Sequence, residues 1–366
     1  MTGTQLPLRD DLRGLTPYGA PQLDVAVRLN TNENPYPPPP ELVADLTASV
    51  EVAARRLNRY PDREALALRA DLARYLGAQL RVEQIWAANG SNEVIQQLLQ
   101  AFGGSEHAAL GFEPSYSMHR LIARATGTHW IAANREADFG LLPGPASDEV
   151  RKHQPQLTFL CSPNNPTGAA LPAEVVRSVL SAGPGLVVVD EAYAEFTGRP
   201  SEILPLVHSE PRLVVIRTMS KAFGFAGARL GYLAASPGVV EALHLVRLPY
   251  HLSDLTQAAA RAALRHADAT LAQVAAVRAD RDRVARSLTA RGLDVAASDA
   301  NFLLIGGFPG GNAPAIWQGL LDRGVLIRDV GLPGWLRVSV GTTAECDRFL
   351  TALDDVLTAA AATMGS

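Results

Sequence analysis

Between residues 85 and 235, short apolar runs alternate with segments of helical periodicity, and no other feature of the sequence constrains the fold as strongly. Each run has four or five residues and carries almost no charge, which is typical of strands buried on both faces of a parallel sheet. The segments between the runs have the length of crossover helices. The pattern therefore predicts an α/β fold with strands at 85–88, 108–112, 158–161, 186–189, 213–216 and 230–234 and helices that include 93–102 and 173–181.

The rhythm changes in the last third of the chain. A long alanine-rich helical stretch runs from 253 to about 291, and apolar runs follow it at 301–305, 325–328 and 336–340. This change predicts a second, smaller domain of the α+β type.

The start of the chain differs from both of these regions. The first forty residues are rich in proline and end in four consecutive prolines, which predicts an extended arm. We therefore divide the chain into an N-terminal arm over 1–40, a large domain over 41–250 and a small C-terminal domain over 251–366.

Composition excludes several classes of function. The 33 basic and 37 acidic residues give a net charge of −4, which provides no basic surface for a nucleic acid. The two cysteines, Cys161 and Cys346, are far apart in sequence and no histidine spacing suits zinc, so we expect neither a disulfide nor a metal site. No secretory signal and no apolar run long enough to span a bilayer is present. We expect a cytoplasmic protein that binds neither nucleic acid nor membrane.

The chain has only two lysines, Lys152 and Lys221, against 31 arginines. Lys152 lies in a polar stretch where an arginine would serve equally well. Lys221 comes shortly after the predicted strand at 213–216, and the short sequence Thr-Met-Ser directly precedes it. A lysine retained at a strand end suggests chemistry that arginine cannot perform, namely losing a proton and attacking a carbonyl group.

Further residues that suit a ligand site follow the predicted strands, at the edge where open α/β sheets bind their ligands. In chain order they are Gly90, Ser91, Asn92, Tyr116, Asn165, Asp190, Tyr193, Ser220, Lys221 and Arg229. We expect Ser91 and Asn92 to cap the helix that begins there, which would add a helix N-terminus to the same edge.

This combination suits pyridoxal phosphate. The aldehyde of that cofactor requires a lysine amine, and its ring nitrogen requires a carboxylate to keep it protonated. Its phosphate suits a helix N-terminus and an arginine. Nucleotide cofactors fit less well, because the sequence has neither a GxxxxGK[ST] motif nor a GxGxxG motif opening a βαβ unit.

These motifs make the chain resemble the fold-type-I pyridoxal-phosphate aminotransferases. The resemblance rests on Asn-Asn-Pro-Thr-Gly at 164–168, Asp-Glu-Ala-Tyr at 190–193 and Ser-Lys-Ala-Phe at 220–223. Two further segments, Leu-Asn-Thr-Asn-Glu-Asn-Pro at 29–35 and Arg-Tyr-Pro-Asp at 59–62, resemble more narrowly the histidinol-phosphate aminotransferases of actinobacteria. The resemblance runs essentially from end to end, and it implies that the arm belongs to the small domain and covers the substrate.

The resemblance also implies roles for individual residues in cofactor binding. Lys221 would form the Schiff base and shuttle a proton, Asp190 would pair with the ring nitrogen, and Asn165 and Tyr193 would hydrogen-bond the 3′-oxygen. Tyr116 would stack on the ring. The phosphate would lie on the N-terminus at Gly90, Ser91 and Asn92, with Thr218, Ser220, Arg229 and, from the second subunit of a homodimer, Tyr60 around it.

The implied substrates are histidinol phosphate and glutamate or 2-oxoglutarate, in histidine biosynthesis. One basic pocket would accept the phosphate ester of the first and the carboxylate of the second in turn. Arg337 and Arg328 would bind these anions, assisted by Tyr18, with Glu33 and Asn34 near the imidazole. Alternatively, Arg328 does not bind substrate and is an exposed arginine at a strand end, paired with Asp329.

Two other reactions remain open on the same scaffold, namely transamination of aromatic amino acids and decarboxylation of threonine phosphate. Both would use the same lysine and aspartate, so only the residues on the substrate side separate them. A ligand-sensing regulator of this fold is disfavoured, because the segment before the large domain is too short for a DNA-binding domain.

Overall fold

A computed structural model describes residues 6–14, 16–17 and 19–364 of the chain. Its strands are β1 Val27–Arg28, β2 Ile85–Ala88, β3 Ala108–Glu113, β4 His129–Asn134, β5 Leu157–Cys161, β6 Leu186–Asp190, β7 Leu213–Thr218, β8 Gly231–Ala235, β9 Asp294–Val295, β10 Phe302–Gly306, β11 Val325–Leu326, β12 Arg328–Asp329 and β13 Leu336–Ser339. Its α-helices are α1 Pro40–Ala54, α2 Leu66–Leu76, α3 Ser91–Phe102, α4 Ser117–Ala125, α5 Pro143–His153, α6 Ala173–Ala182, α7 Pro237–Val246, α8 Asp254–Arg265, α9 Ala267–Ala290, α10 Ala313–Asp322 and α11 Thr343–Met364.

A seven-stranded sheet in the order β2-β8-β7-β6-β5-β3-β4 forms the centre of the molecule. The strands from β7 to β4 run parallel, and β8 runs antiparallel to both β7 and β2. Every residue of β5, β7 and β8 is buried, because helices pack on both faces of the sheet. The α/β class with a mostly parallel central sheet is thus confirmed.

The predicted strands of this sheet are all present, but β4 had no counterpart in the prediction. This strand lies at the edge of the sheet and pairs only with β3. Three of its six residues are exposed, including the polar His129 and Asn134, and just one of the six is buried. An edge strand does not need a continuous apolar run, so the apolar pattern could not reveal it.

Two other local predictions were wrong in detail. Helix α3 begins at Ser91 and its N-cap is Gly90, at φ 88°, so Ser91 and Asn92 are helical residues and not the caps. The run 325–328 does not form one strand. Val325–Leu326 pairs with Val27–Arg28, whereas Arg328–Asp329 joins a four-stranded sheet in the order β12-β13-β10-β9.

This four-stranded sheet brings β13 beside the segment that follows β1. The Ser339 amide donates to the Leu29 carbonyl at 2.9 Å, and β1 itself pairs with β11. The chain around residue 30 therefore lies against the four-stranded sheet. Within the described residues, no helix has both the length and the apolar character that a membrane span requires.

Candidate active site

A cavity of about 240 Å³ lies at the carboxyl edge of the central sheet, beneath the segment that follows β1. Most of the residues predicted for the site line it. They are Ser91, Asn92, Tyr116, Asn165, Asp190, Tyr193, Thr218, Ser220, Lys221, Arg229, Arg328 and Arg337. The parallel strands bring most of these side chains together because their carboxyl ends meet at one edge, whereas Arg328 and Arg337 come from the four-stranded sheet.

Lys221 provides an amine in this cavity. It lies in the loop after β7, its Nζ donates to the Thr31 carbonyl at 3.1 Å, and Nζ lies 6.0 Å from the centre of the Tyr193 ring. Burial, together with the positive charges of Arg337 and Arg229, lowers the pKa of Lys221 to about 8 against the opposing pull of nearby carboxylates. A lysine in this state is deprotonated far more often at neutral pH than a solvated one.

Asp190 ends β6 and is buried with two partners for its carboxylate. Oδ1 accepts from the Ala192 amide at 3.1 Å, and Oδ2 lies 3.0 Å from His119 Nε2. His119 is itself buried, stacks on Phe159 and meets the Tyr116 ring edge to face. The carboxylate is therefore held in one orientation by groups from the loop after β6 and from α4.

Arg337 and Tyr193 meet at Asn165 on the opposite side of the cavity. The Arg337 guanidinium donates to Asn165 Oδ1 at 2.7 Å and to the Asn30 carbonyl at 2.8 Å. The Tyr193 hydroxyl accepts from Asn165 Nδ2 at 3.4 Å and from Asn32 Nδ2 at 3.0 Å. Burial raises the pKa of Tyr193, whereas the positive charge of Arg337 and the Asn32 hydrogen bond oppose that rise.

The N-terminus of α3 and Arg229 form the third side of the cavity. A Cβ on Gly90 would lie 2.6 Å from Arg229 Nη2, and a Cβ on Gly231 would collide with the backbone of Gly90 and Ser91. Arg229 also donates to Ser220 Oγ at 3.4 Å. The two glycines thus let β8 and an arginine approach free backbone N–H groups, an arrangement that favours a bound anion.

Comparisons with known proteins agree with this geometry. The sequence profile of the family aminotransferase class I and II matches residues 24–353. The chain belongs to the class I and II aminotransferases. A curated histidinol-phosphate aminotransferase of Frankia casuarinae is 62% identical over 96% of this chain and 91% of the relative. That of Mycobacterium sp. (strain JLS) is 59% identical over 100% and 98% of the two chains.

A solved structure is also similar to this aminotransferase over nearly its whole length. It is the histidinol-phosphate aminotransferase from Sinorhizobium meliloti in complex with pyridoxal-5′-phosphate, with a TM-score of 0.86 at 28% identity. The alignment covers 98% of this chain and 100% of that one. The predicted fold type and the predicted resemblance are therefore confirmed.

Several predicted site residues lie elsewhere in this aminotransferase. Tyr60 is 79% exposed and stacks on Tyr250, outside the cavity. Asn34 binds the Ala222 carbonyl and the Tyr36 amide, and Glu33 accepts from Thr31, so neither side chain lines the cavity. Tyr18 lies outside the described residues. Their predicted roles in this aminotransferase stay predictions.

Arg328 reaches the cavity, and its guanidinium donates to the Gly19 carbonyl at 3.3 Å. Asp329, the alternative partner that the sequence suggests, accepts instead from the Gly331 amide at 2.8 Å.

Two buried residues of the site were not singled out by sequence. His119 was not assigned a role because a lone histidine in a helix carries no signal of its own, and its contact with Asp190 joins positions 71 residues apart. Asn32 lies inside the asparagine-rich segment, but only the fold shows that it, rather than its neighbours, contacts Tyr193. Among the described residues, no group of three or more His, Cys, Asp and Glu side chains is placed to hold a metal ion.

Proposed function

We propose that this chain transfers an amino group reversibly between L-histidinol phosphate and 2-oxoglutarate, giving imidazole acetol phosphate and L-glutamate, with pyridoxal 5′-phosphate as cofactor. The observation that carries the proposal is the joint presence of Lys221, Asp190 and Arg337 around one cavity in a chain that is about 60% identical to curated enzymes of that name. This activity belongs to histidine biosynthesis. Aromatic amino-acid transamination and threonine-phosphate decarboxylation are less favoured, since curated relatives about 60% identical over nearly the whole chain bear the name histidinol-phosphate aminotransferase.

The residues around the cavity fit the cofactor. Its aldehyde would meet Lys221, whose lowered pKa makes the amine available near neutral pH. Asp190 is buried and held by two partners, which suits a carboxylate that pairs with a protonated ring nitrogen. The glycine-lined N-terminus of α3 with Arg229, Ser220 and Thr218 suits the phosphate. When bound, the cofactor supplies an electron-withdrawing ring beside the reacting carbon.

The protein's own contribution to the chemistry is proton transfer and orientation. Lys221 Nζ accepts the proton that leaves the substrate carbon and returns one to the acceptor, which requires a pKa near the working pH. Tyr193 and Asn165 offer hydrogen bonds, and Tyr116, which donates to Asn92 Oδ1 at 3.2 Å, lines the same cavity.

Arginines determine which anions enter. Arg337 is buried, and its guanidinium group lies between Asn165 and the Asn30 carbonyl. The planar guanidinium suits a carboxylate or a phosphate ester. Arg328 adds a second positive charge beside Gly19 of the N-terminal arm. We propose that the arm covers the substrate, and that Tyr18, Glu33 and Asn34 take part in binding once it does.

We further propose that the enzyme works as a homodimer in which Tyr60 reaches the phosphate of the second subunit. Tyr60 is exposed, and Leu57, Leu245 and Leu248 are exposed apolar side chains in the neighbouring segments. Such side chains are typical of a contact surface. Sedimentation analysis should give a dimer, and a crystal structure with Tyr60 in bulk solvent would contradict the proposal.

Two measurements test the function. A panel of histidinol phosphate, phenylalanine, tyrosine and threonine phosphate, with 2-oxoglutarate where transamination is assayed, should give the highest kcat/KM with histidinol phosphate. Preference for an aromatic amino acid would refute the substrate assignment. Borohydride reduction followed by peptide mapping should place the pyridoxyl group on the peptide with Lys221, and an adduct on Lys152 would overturn the site.

A further inference from the structure

Asn32 makes hydrogen bonds with every polar group it has. Its amide donates to Ser339 Oγ at 2.9 Å, its carbonyl accepts from Asn301 Nδ2 at 3.0 Å, and its Oδ1 accepts from Ser339 Oγ at 2.7 Å. The residue is buried and its φ of 55° lies in the left-handed region, which asparagine tolerates better than most residues. The backbone and the carbonyl end of the side chain are therefore fixed.

Because Oδ1 of the Asn32 side chain is held by Ser339, the direction of its Nδ2 group is also set. Ser339 Oγ accepts the backbone N–H of Asn32, so its own hydrogen is free to bond Oδ1, and Nδ2 then faces the Tyr193 hydroxyl at 3.0 Å. The Tyr193 oxygen also accepts from Asn165 Nδ2 at 3.4 Å. A phenol has one hydrogen to donate, and with two amide donors on its oxygen that hydrogen points away from them, into the cavity.

We propose that Asn32 is a positioning residue that aims the Tyr193 hydroxyl hydrogen into the cavity and strengthens it as a donor to an oxygen anion bound there. The inference rests on the proposed function, in which Tyr193 donates to the cofactor's 3′-oxygen. It adds a residue that acts through Tyr193, because both ends of its side chain are already engaged.

The charged and titratable groups that face Tyr193 come from four other places in the fold. Arg337 of β13 favours the ionised hydroxyl, whereas Asp190 at the end of β6 and Cys161 at the end of β5 oppose it. The Lys221 amine lies 6.0 Å from the ring. None of these groups changes when Asn32 is replaced, so a change in the behaviour of Tyr193 can be attributed to the lost amide.

The experiment uses the holoenzyme with Asn32→Gly and Asn32→Asp. Glycine keeps the left-handed backbone and removes the amide, and aspartate keeps the shape but offers an acceptor in place of the donor. The readout is the pH at the midpoint of the change in visible absorbance. Without the Asn32 amide, the Tyr193 hydroxyl is a weaker donor and stabilises the deprotonated form of the bound cofactor less. The midpoint should therefore rise by about 0.5–1 pH unit in Asn32→Gly, the equivalent of one hydrogen bond. In Asn32→Asp it should rise further.

Two more variants separate the possible outcomes. Asn301→Ala loosens the same segment without touching Tyr193, so its midpoint should stay at the wild-type value. Tyr193→Phe should raise the midpoint, and adding Asn32→Gly to it should cause no further change. An unchanged midpoint in both Asn32 variants, or a shift that persists in the Tyr193→Phe background, would overturn the inference and leave the proposed function intact. An unchanged midpoint in Tyr193→Phe alone would refute the role of Tyr193 and the inference with it.

Discussion

Lys221 should titrate far below an ordinary lysine in the cofactor-free protein, because the cavity excludes water and holds two arginines near its amine. A pKa lowered from 10.5 to about 8 is a difference of about 2.5 units, or about 3 kcal/mol of unfavourable free energy for the charged form. At pH 7 roughly one molecule in ten then carries a neutral amine, about three hundred times more than for a solvated lysine.

The assay exploits the scarcity of lysine in this chain. Trace labelling of the cofactor-free protein with acetic anhydride across a pH series, followed by peptide mapping, reports the neutral fraction of each amine. Lys152 is an internal reference because 65% of its side chain is exposed, 3.6 Å from Glu149. The labelling of Lys221 should have its midpoint near pH 8, and Arg337→Gln should move that midpoint upward by removing a positive charge.

The same pKa shift predicts how stability depends on pH. Between about pH 8 and 10.5 the unfolded chain binds more protons than the folded one, so the free energy of unfolding of the cofactor-free protein should rise with pH across that interval. Lys221→Met should flatten this dependence and stabilise the cofactor-free protein at pH 7 by up to about 3 kcal/mol. A Lys221 midpoint near 10.5, or no response to Arg337→Gln, would refute the electrostatic reasoning.

Four further predictions concern other parts of the site. Tyr60→Phe should weaken cofactor retention by roughly 1.5–3 kcal/mol, measured as the dissociation constant, if the hydroxyl bonds a charged phosphate of the partner. In single-turnover absorbance, Arg337→Ala should impair both glutamate and histidinol phosphate, whereas Arg328→Ala should impair histidinol phosphate more, because a phosphate carries more charge; equal effects of the second variant on both donors would contradict this. His119→Phe should lower the free energy of unfolding by about 1–3 kcal/mol, since a buried carboxylate oxygen loses its partner. Gly231→Ala should cost about 1–3 kcal/mol in chemical denaturation and weaken cofactor binding, because the new Cβ would displace the N-terminus of α3.

The sequence by itself determined the central sheet and most of the residues around its cavity. Strands buried on both faces are largely apolar, so β5, β6 and β7 could be recognised directly, and the polar residues at or just after the end of each strand had to lie at the shared carboxyl edge. The retention of a lysine at that edge, in a chain that otherwise uses arginine, identified Lys221 on chemical grounds.

Only the tertiary structure decided which groups support these residues. The contacts of His119 with Asp190 and of Asn32 with Tyr193 join positions 71 and 161 residues apart, and no local pattern records such a distance. The edge strand β4 and the split of 325–328 between two sheets depended likewise on what packs beside them. The periodicity of apolar residues shows which side of one segment packs against the core. Hydrogen bonds between distant segments depend instead on the fold of the whole chain around the cavity.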